Sequence, residues 1–148
     1  MNANVCLLLN FASTWFMVGL IWLIQIVHYP LFSRVGAEQF QRYSEDHQRL
    51  ITYLVLPLMF VELGTALILW VARPTGISNA SVIAGIVLLL VIWGSTFLIH
   101  VPQHGKLLTG YNAEVCRQLV SWNWIRTVAW SIRGLIAGWM VWRVMTTT

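Results

Sequence analysis

The chain has 148 residues, of which 58% are hydrophobic and only 9% charged, and its formal net charge is +4. A soluble domain is about one quarter charged, so this balance excludes an ordinary water-soluble fold and points to a bilayer as the solvent. The nine basic residues are scattered, with no run or stripe, which argues against nucleic acid as a partner.

The length suits a single domain, residues 1–148. The first apolar run covers residues 5–27. The MNANV ahead of it has no basic segment, and the run is long enough to span, so it reads as a membrane helix and not as a cleavable signal. Asn10, Thr14, Met17, Ile21, Gln25 and His28 form a polar stripe along it, and Tyr29-Pro30 closes it. In the loop that follows, Phe40, Tyr43, His47 and Leu50 share one helical face. Glu38–Arg42 and Glu45–Arg49 stand at the favourable i, i+4 spacing on other faces. This predicts a short amphipathic helix that lies in the interface or runs directly into the next span.

The second run covers residues 51–71 and contains Pro57, which predicts a kink, and Glu62. Arg73-Pro74-Thr75-Gly76 reads as a tight turn into the third run, residues 82–101. Trp93, Thr96 and His100 share a face there, and His104 follows beyond Pro102, which threatens to break the helix. The next loop suggests a short helix from Ala113 to Trp122. The last run covers residues 124–144, where Asn123, Arg126, Thr127, Trp130, Arg133, Gly134 and Ala137 make a marked face. Gly134 and Gly138 form a GxxxG that lets a neighbouring backbone come close.

Runs of about 20 residues match a hydrocarbon core of about 30 Å. With no barrel-like alternation, helices are the only spanning structure available. The expected fold is therefore all-α: a four-helix transmembrane bundle, up-down-up-down, with the interfacial helix in its first loop. Arg34, Arg42, Arg49, Lys106 and Arg117 fall in the first and third loops, against Arg73 and Arg143 on the other side. That bias puts those loops in the cytoplasm and both termini outside; in a bacterium the membrane would be the inner one. Cys6 and Cys116 then lie on opposite sides and do not pair.

A charge at mid-bilayer costs at least about 2.5–3.5 kcal/mol, yet Glu62, Arg126 and Arg133 fall inside spans. Glu62 lies roughly 16 Å beyond Ile51, and Arg133 about 15 Å beyond Asn123 on the same side, at the α-helical rise. Equal depth and opposite sign predict an ion pair inside the bundle, with catalysis or helix packing as its use. His28, His47, His100 and His104 all fall at one end, reachable from Asn123 and Arg126. Imidazole suits iron or copper, so these four are candidate metal ligands, as well as candidate interface histidines. Arg126 and Arg133 would steady an anionic oxygen, Glu62 would complete the metal's sphere or carry a proton, and Trp130, Asn123 and Tyr29 would line a pocket. Nucleotide and hydrolase motifs are absent.

HYPLF at His28–Phe32, a proline ahead of the acid in the second run, Val101-Pro102 to Leu107, and Asn123–Arg126 together resemble the anthrone oxygenase-like family of small four-helix membrane proteins. The histidine-rich close of the third span departs from that family's pattern, where asparagine is more usual after the proline. The resemblance implies oxidation of a lipophilic aromatic molecule by oxygen. The leading expectation is thus a metal-dependent membrane oxidoreductase acting on a lipophilic small molecule in a polar cavity open to the cytoplasmic side. The alternatives are a haem protein with two histidines as axial ligands, a carrier or binder of a small anion or amphiphile working as a homo-oligomer, and a structural subunit.

Overall fold

The computed structural model describes residues 2–147, and among them the fold is four long helices with no strand. Helix α1 (Ala3–Arg34) starts at Asn2, whose side chain accepts the Asn4 N–H at 2.9 Å. Helix α2 (Ala37–Val71) runs for 35 residues and continues through Pro57. The expected short interfacial helix is therefore not a separate element. Residues 37–50 are the opening turns of α2, the second of the two courses the sequence leaves open. Helix α3 (Asn79–Leu107) is capped by Ser78, which accepts the Ser81 N–H. Helix α4 (Ala113–Thr147) is likewise one 35-residue helix, so the proposed third-loop helix is its first part. Asn112 caps it by accepting the Val115 N–H at 3.1 Å, and Glu114 pairs with Arg117 in its first turn.

Helix α1 packs against α2 and α4, and α3 packs against the same two. The turn from α2 to α3 falls where the sequence puts it: the Ile77 N–H reaches the Pro74 carbonyl, and Gly76 has φ +90°, a conformation open to glycine. Three helices, α1, α2 and α3, are long and apolar enough to cross a membrane. Helix α4 falls short of that composition because Arg126, Arg133 and its tryptophans dilute the apolar residues. The outward faces are apolar all round, with Phe16, Ile26, Tyr53, Phe60, Leu98 and Leu135 exposed. Trp70, Trp122, Trp124, Trp139 and Trp142 are exposed too; tryptophan is enriched at both membrane interfaces.

Inside, one apolar cluster around Cys6, Leu7, Leu69, Val82 and Met140 fills one end of the bundle. A larger one around Met17, Ile24, Phe32, Met59, Ile92 and Trp130 fills the rest. Gly134 explains how α1 and α4 come so close: a Cβ there would stand 3.0 Å from Val18 Cγ2, so the GxxxG serves packing within the chain.

Two helices share a device that hydrophobic periodicity does not reveal. Helix α1 turns π-helical over Ile24–His28, and α3 does so over Thr96–His100. The Tyr29 N–H bonds the Ile24 carbonyl and the Val101 N–H bonds the Thr96 carbonyl, each five residues back. Each π segment ends on a histidine two residues before a proline, Pro30 or Pro102. A proline ring collides with the carbonyl four residues earlier; widening the turn just ahead of it removes the collision. Pro102 therefore does not break α3, as its sequence position threatens.

Candidate functional site

The charged layer comes first, in the middle of the bundle. Glu62 is fully buried and its carboxylate accepts three hydrogen bonds. Thr14 Oγ1 and Arg133 Nε donate to Oε1 at 2.8 and 3.1 Å, and Trp130 Nε1 donates to Oε2 at 3.1 Å. Arg133 Nη1 donates onward to the Gly85 carbonyl at 2.7 Å. A Cβ at residue 85 would sit 3.2 Å from that nitrogen, so glycine leaves room for the guanidinium. The ion pair expected from matching depths is present, and it ties all four helices: Thr14 on α1, Glu62 on α2, Gly85 on α3, Trp130 and Arg133 on α4. Asn10 extends the layer with a 2.8 Å bond to Thr65.

Nearer the proline end lies a second network. Arg126 Nε and Nη2 donate to Asn123 Oδ1 at 3.0 and 2.6 Å, and Nη2 also donates to the Tyr29 hydroxyl at 3.1 Å. Asn123 Nδ2 in turn donates to Gln25 Oε1 at 2.8 Å. The Tyr29 hydroxyl pairs with His104 Nε2 at 2.9 Å, and Gln48 Nε2 donates to the His104 carbonyl at 2.9 Å. The His104 and His47 rings lie 5.4 Å apart, and His47 Nδ1 shares a hydrogen with His28 Nε2 at 2.8 Å. Phe32, fully buried, packs edge-on against both His28 and His47. His100 stands apart, with Nδ1 tied back to the Ser95 carbonyl at 2.8 Å.

Between these layers is a chamber of about 300 Å³. Its body is apolar, with Met17, Ile21, Val55, Met59 and Phe97 in the wall, while Tyr29, His100, His104, Arg126 and Trp130 supply the polar groups. A more open cleft of about 460 Å³ is lined by His28, Tyr43, Asp46 and His47 and shares Leu20, Ile24 and Ile51 with the chamber. The predicted site residues thus separate into sets. Arg126, Trp130, Tyr29, His100 and His104 face the chamber. Asn123 stands behind Arg126 and orients it, and Glu62 with Arg133 stands behind Trp130. His28 and His47 belong to the cleft.

The four histidines do gather at one end, but not as ligands around one point. Among the described residues no group of three or more His, Cys, Asp or Glu side chains is placed to hold a metal ion. The reason is local: His28 and His47 turn ring nitrogens on each other, His104 turns one on Tyr29, and His100 turns one on its own backbone. His47 Nε2, His104 Nδ1 and His100 Nε2 remain buried without a partner. Sequence reasoning missed Gln48 and Phe32, neither of which stands on a polar stripe, and it could not assign the Gly85 carbonyl.

No family model, curated protein or solved structure matches the chain.

Proposed function

We propose that this chain is an integral membrane protein that takes a lipophilic small molecule into the chamber and acts on it as an oxidoreductase. The observation that carries the reading is the chamber itself: a long apolar body ending on Tyr29, Arg126, His100 and His104, with buried ring nitrogens left open. Apolar walls with a few convergent polar groups are the usual make-up of a small-molecule site, and about 300–1,000 Å³ is its usual size. Oxidation takes two electrons and two protons from the substrate, with dioxygen as the acceptor that leaves as hydrogen peroxide, so the site needs a base and a way out for a proton. Tyr29 paired with His104, and His47 paired with His28, stand between the chamber and the open cleft as two pairs whose facing rings are 5.4 Å apart, and would supply both. Arg126, held by Asn123 and facing no carboxylate, would steady negative charge as it develops. The imidazoles bond to neighbours and do not converge on a common point, so the reading is built on the side chains and gives an iron, copper or haem group no step.

The bundle is read as up-down-up-down. Supporting this, contacts run in opposite senses along neighbouring helices: Asn10 with Thr65 and His28 with His47, Trp22 with Ser131 and Gln25 with Asn123. Helix α4 crosses with the others, its charges turned inward. Helix α2, at 35 residues, is roughly 52 Å long and so overshoots a hydrocarbon core of about 30 Å. Its overshoot carries His47 out of the core, on the side where the basic residues Arg34, Arg42, Arg49, Lys106 and Arg117 favour the cytoplasm.

The test is turnover by protein purified into lipid nanodiscs. A panel of lipophilic alcohols, phenols and quinols is offered with oxygen, and products are read by mass spectrometry. Oxidised product that disappears in Tyr29→Phe and His104→Phe is expected. Tight binding with no product for any compound would instead favour a carrier or binding protein.

A further inference from the structure

We infer that the chamber selects ligands whose polar head is a hydroxyl, and that His100 makes the selection by accepting its hydrogen. The inference rests on the small-molecule reading above and names the chemistry of the head group.

His100 is 1% exposed and lines the chamber. Its Nδ1 lies 2.8 Å from the Ser95 carbonyl oxygen. A carbonyl oxygen can only accept, so Nδ1 carries the hydrogen. In the neutral ring Nε2 is then a bare lone pair, an acceptor without a hydrogen to give. That atom is buried and has no partner. A buried acceptor left open favours any guest that brings a donor and disfavours one that brings only acceptors. The π turn is what fixes this state: it leaves the Ser95 carbonyl within reach of a ring five residues on, and Pro102 keeps the turn in place.

Arg126 supplies the second contact. Its Nε and Nη2 are held by Asn123 and Tyr29, while Nη1 makes no hydrogen bond among the described residues. The side chain also lines the chamber. A hydroxyl meets both needs: its hydrogen goes to His100 Nε2 and its oxygen can accept from the guanidinium. An ether oxygen meets only the second, and a hydrocarbon meets neither. The rest of the wall, Met17, Ile21, Val55, Met59 and Phe97, asks for an apolar body.

The test compares decan-1-ol, its methyl ether and decane, each titrated by membrane mole fraction into nanodiscs carrying the wild-type protein or His100→Leu. Wild type is expected to bind the alcohol about tenfold more tightly than the ether, the difference made by one buried hydrogen bond. His100→Leu is expected to bind alcohol and ether alike. Equal affinities in wild type, or an alcohol preference that survives in His100→Leu, would overturn the hydroxyl rule while leaving the chamber reading intact. Binding of none of the three probes would overturn both. Should His100→Leu fail to fold, nitrogen NMR of ¹⁵N-histidine-labelled wild type decides. One ring is expected with Nδ1 protonated and Nε2 bare, its Nε2 resonance shifting with the alcohol and not with the ether; the opposite tautomer, or no shift, contradicts the assignment.

Discussion

Glu62 accepts from Thr14, Trp130 and Arg133, so its removal exposes three donors at once. Glu62→Leu leaves Arg133 as an unpaired buried charge, a change that costs about 3–5 kcal/mol. Unfolding in mixed micelles should show a loss of that size. Replacing both partners by apolar residues, Glu62→Met with Arg133→Leu, should recover most of it, because a buried pair is often no more stable than a well-packed apolar one. If that double variant folds and still turns over substrate, the ion pair is a fastener of helices and not part of the chemistry. Since Glu62 reaches the chamber only through the Trp130 indole, retained turnover at reduced rate is the expected outcome. This pair was legible in the sequence: charge at mid-bilayer has so few solutions that depth and sign nearly determine the partner. The histidines were less legible. Their gathering at one end follows from counting along the spans, but which nitrogen meets which partner depends on ring orientation, and that is set by turns whose geometry the spacing hides.

At the scale of elements, the two π segments decide where side chains point. Each adds a residue to one turn and so rotates everything beyond it relative to a regular helix. Tyr29 reaches His104 across the bundle because both stand just past such a segment, at the equivalent ends of α1 and α3. Pro102→Ala restores the option of a regular turn. That variant should keep its helix content by circular dichroism but lose the Tyr29–His104 contact, and with it most ligand affinity. The two glycines of α4 make a sharper contrast. A methyl at Gly134 would meet Val18 at 3.0 Å, whereas one at Gly138 would come no nearer than 3.8 Å from Phe11. Gly134→Ala should cost about 1–3 kcal/mol through overpacking, and Gly138→Ala should cost little, both read from melting in detergent. The existence of the four helices was plain from apolar runs. Their lengths were not: α2 and α4 extend by many residues into what composition marks as loops, and the ion pairs formed there are Asp46–Arg49 and Glu114–Arg117 at i, i+3 spacing, not the Glu38–Arg42 and Glu45–Arg49 pairs that spacing suggests. The one real disagreement on composition, α4, traces to Arg126 and Arg133, whose inward partners make a less apolar helix tolerable.

For the whole molecule, topology and function are each open to a direct test. Single cysteines placed at Gly36 and Gly110, in a background where Cys6 and Cys116 are replaced by serine, should label from the same side of the membrane. A cysteine at Thr75 should label from the other. Labelling of residues 36 and 110 from opposite sides would break the up-down-up-down arrangement. The functional claim is that the bundle encloses a guest in its interior and does not merely present an apolar surface to lipid. Photoaffinity labelling tests it most directly, with a decanol that carries a diazirine at its alkyl end and protein held in nanodiscs. The account expects adducts on chamber-wall residues such as Met17, Ile21, Val55 and Met59, suppressed by excess unlabelled decan-1-ol. Adducts confined to outward residues such as Tyr53, Leu98 and Leu135, indifferent to competitor, would contradict it.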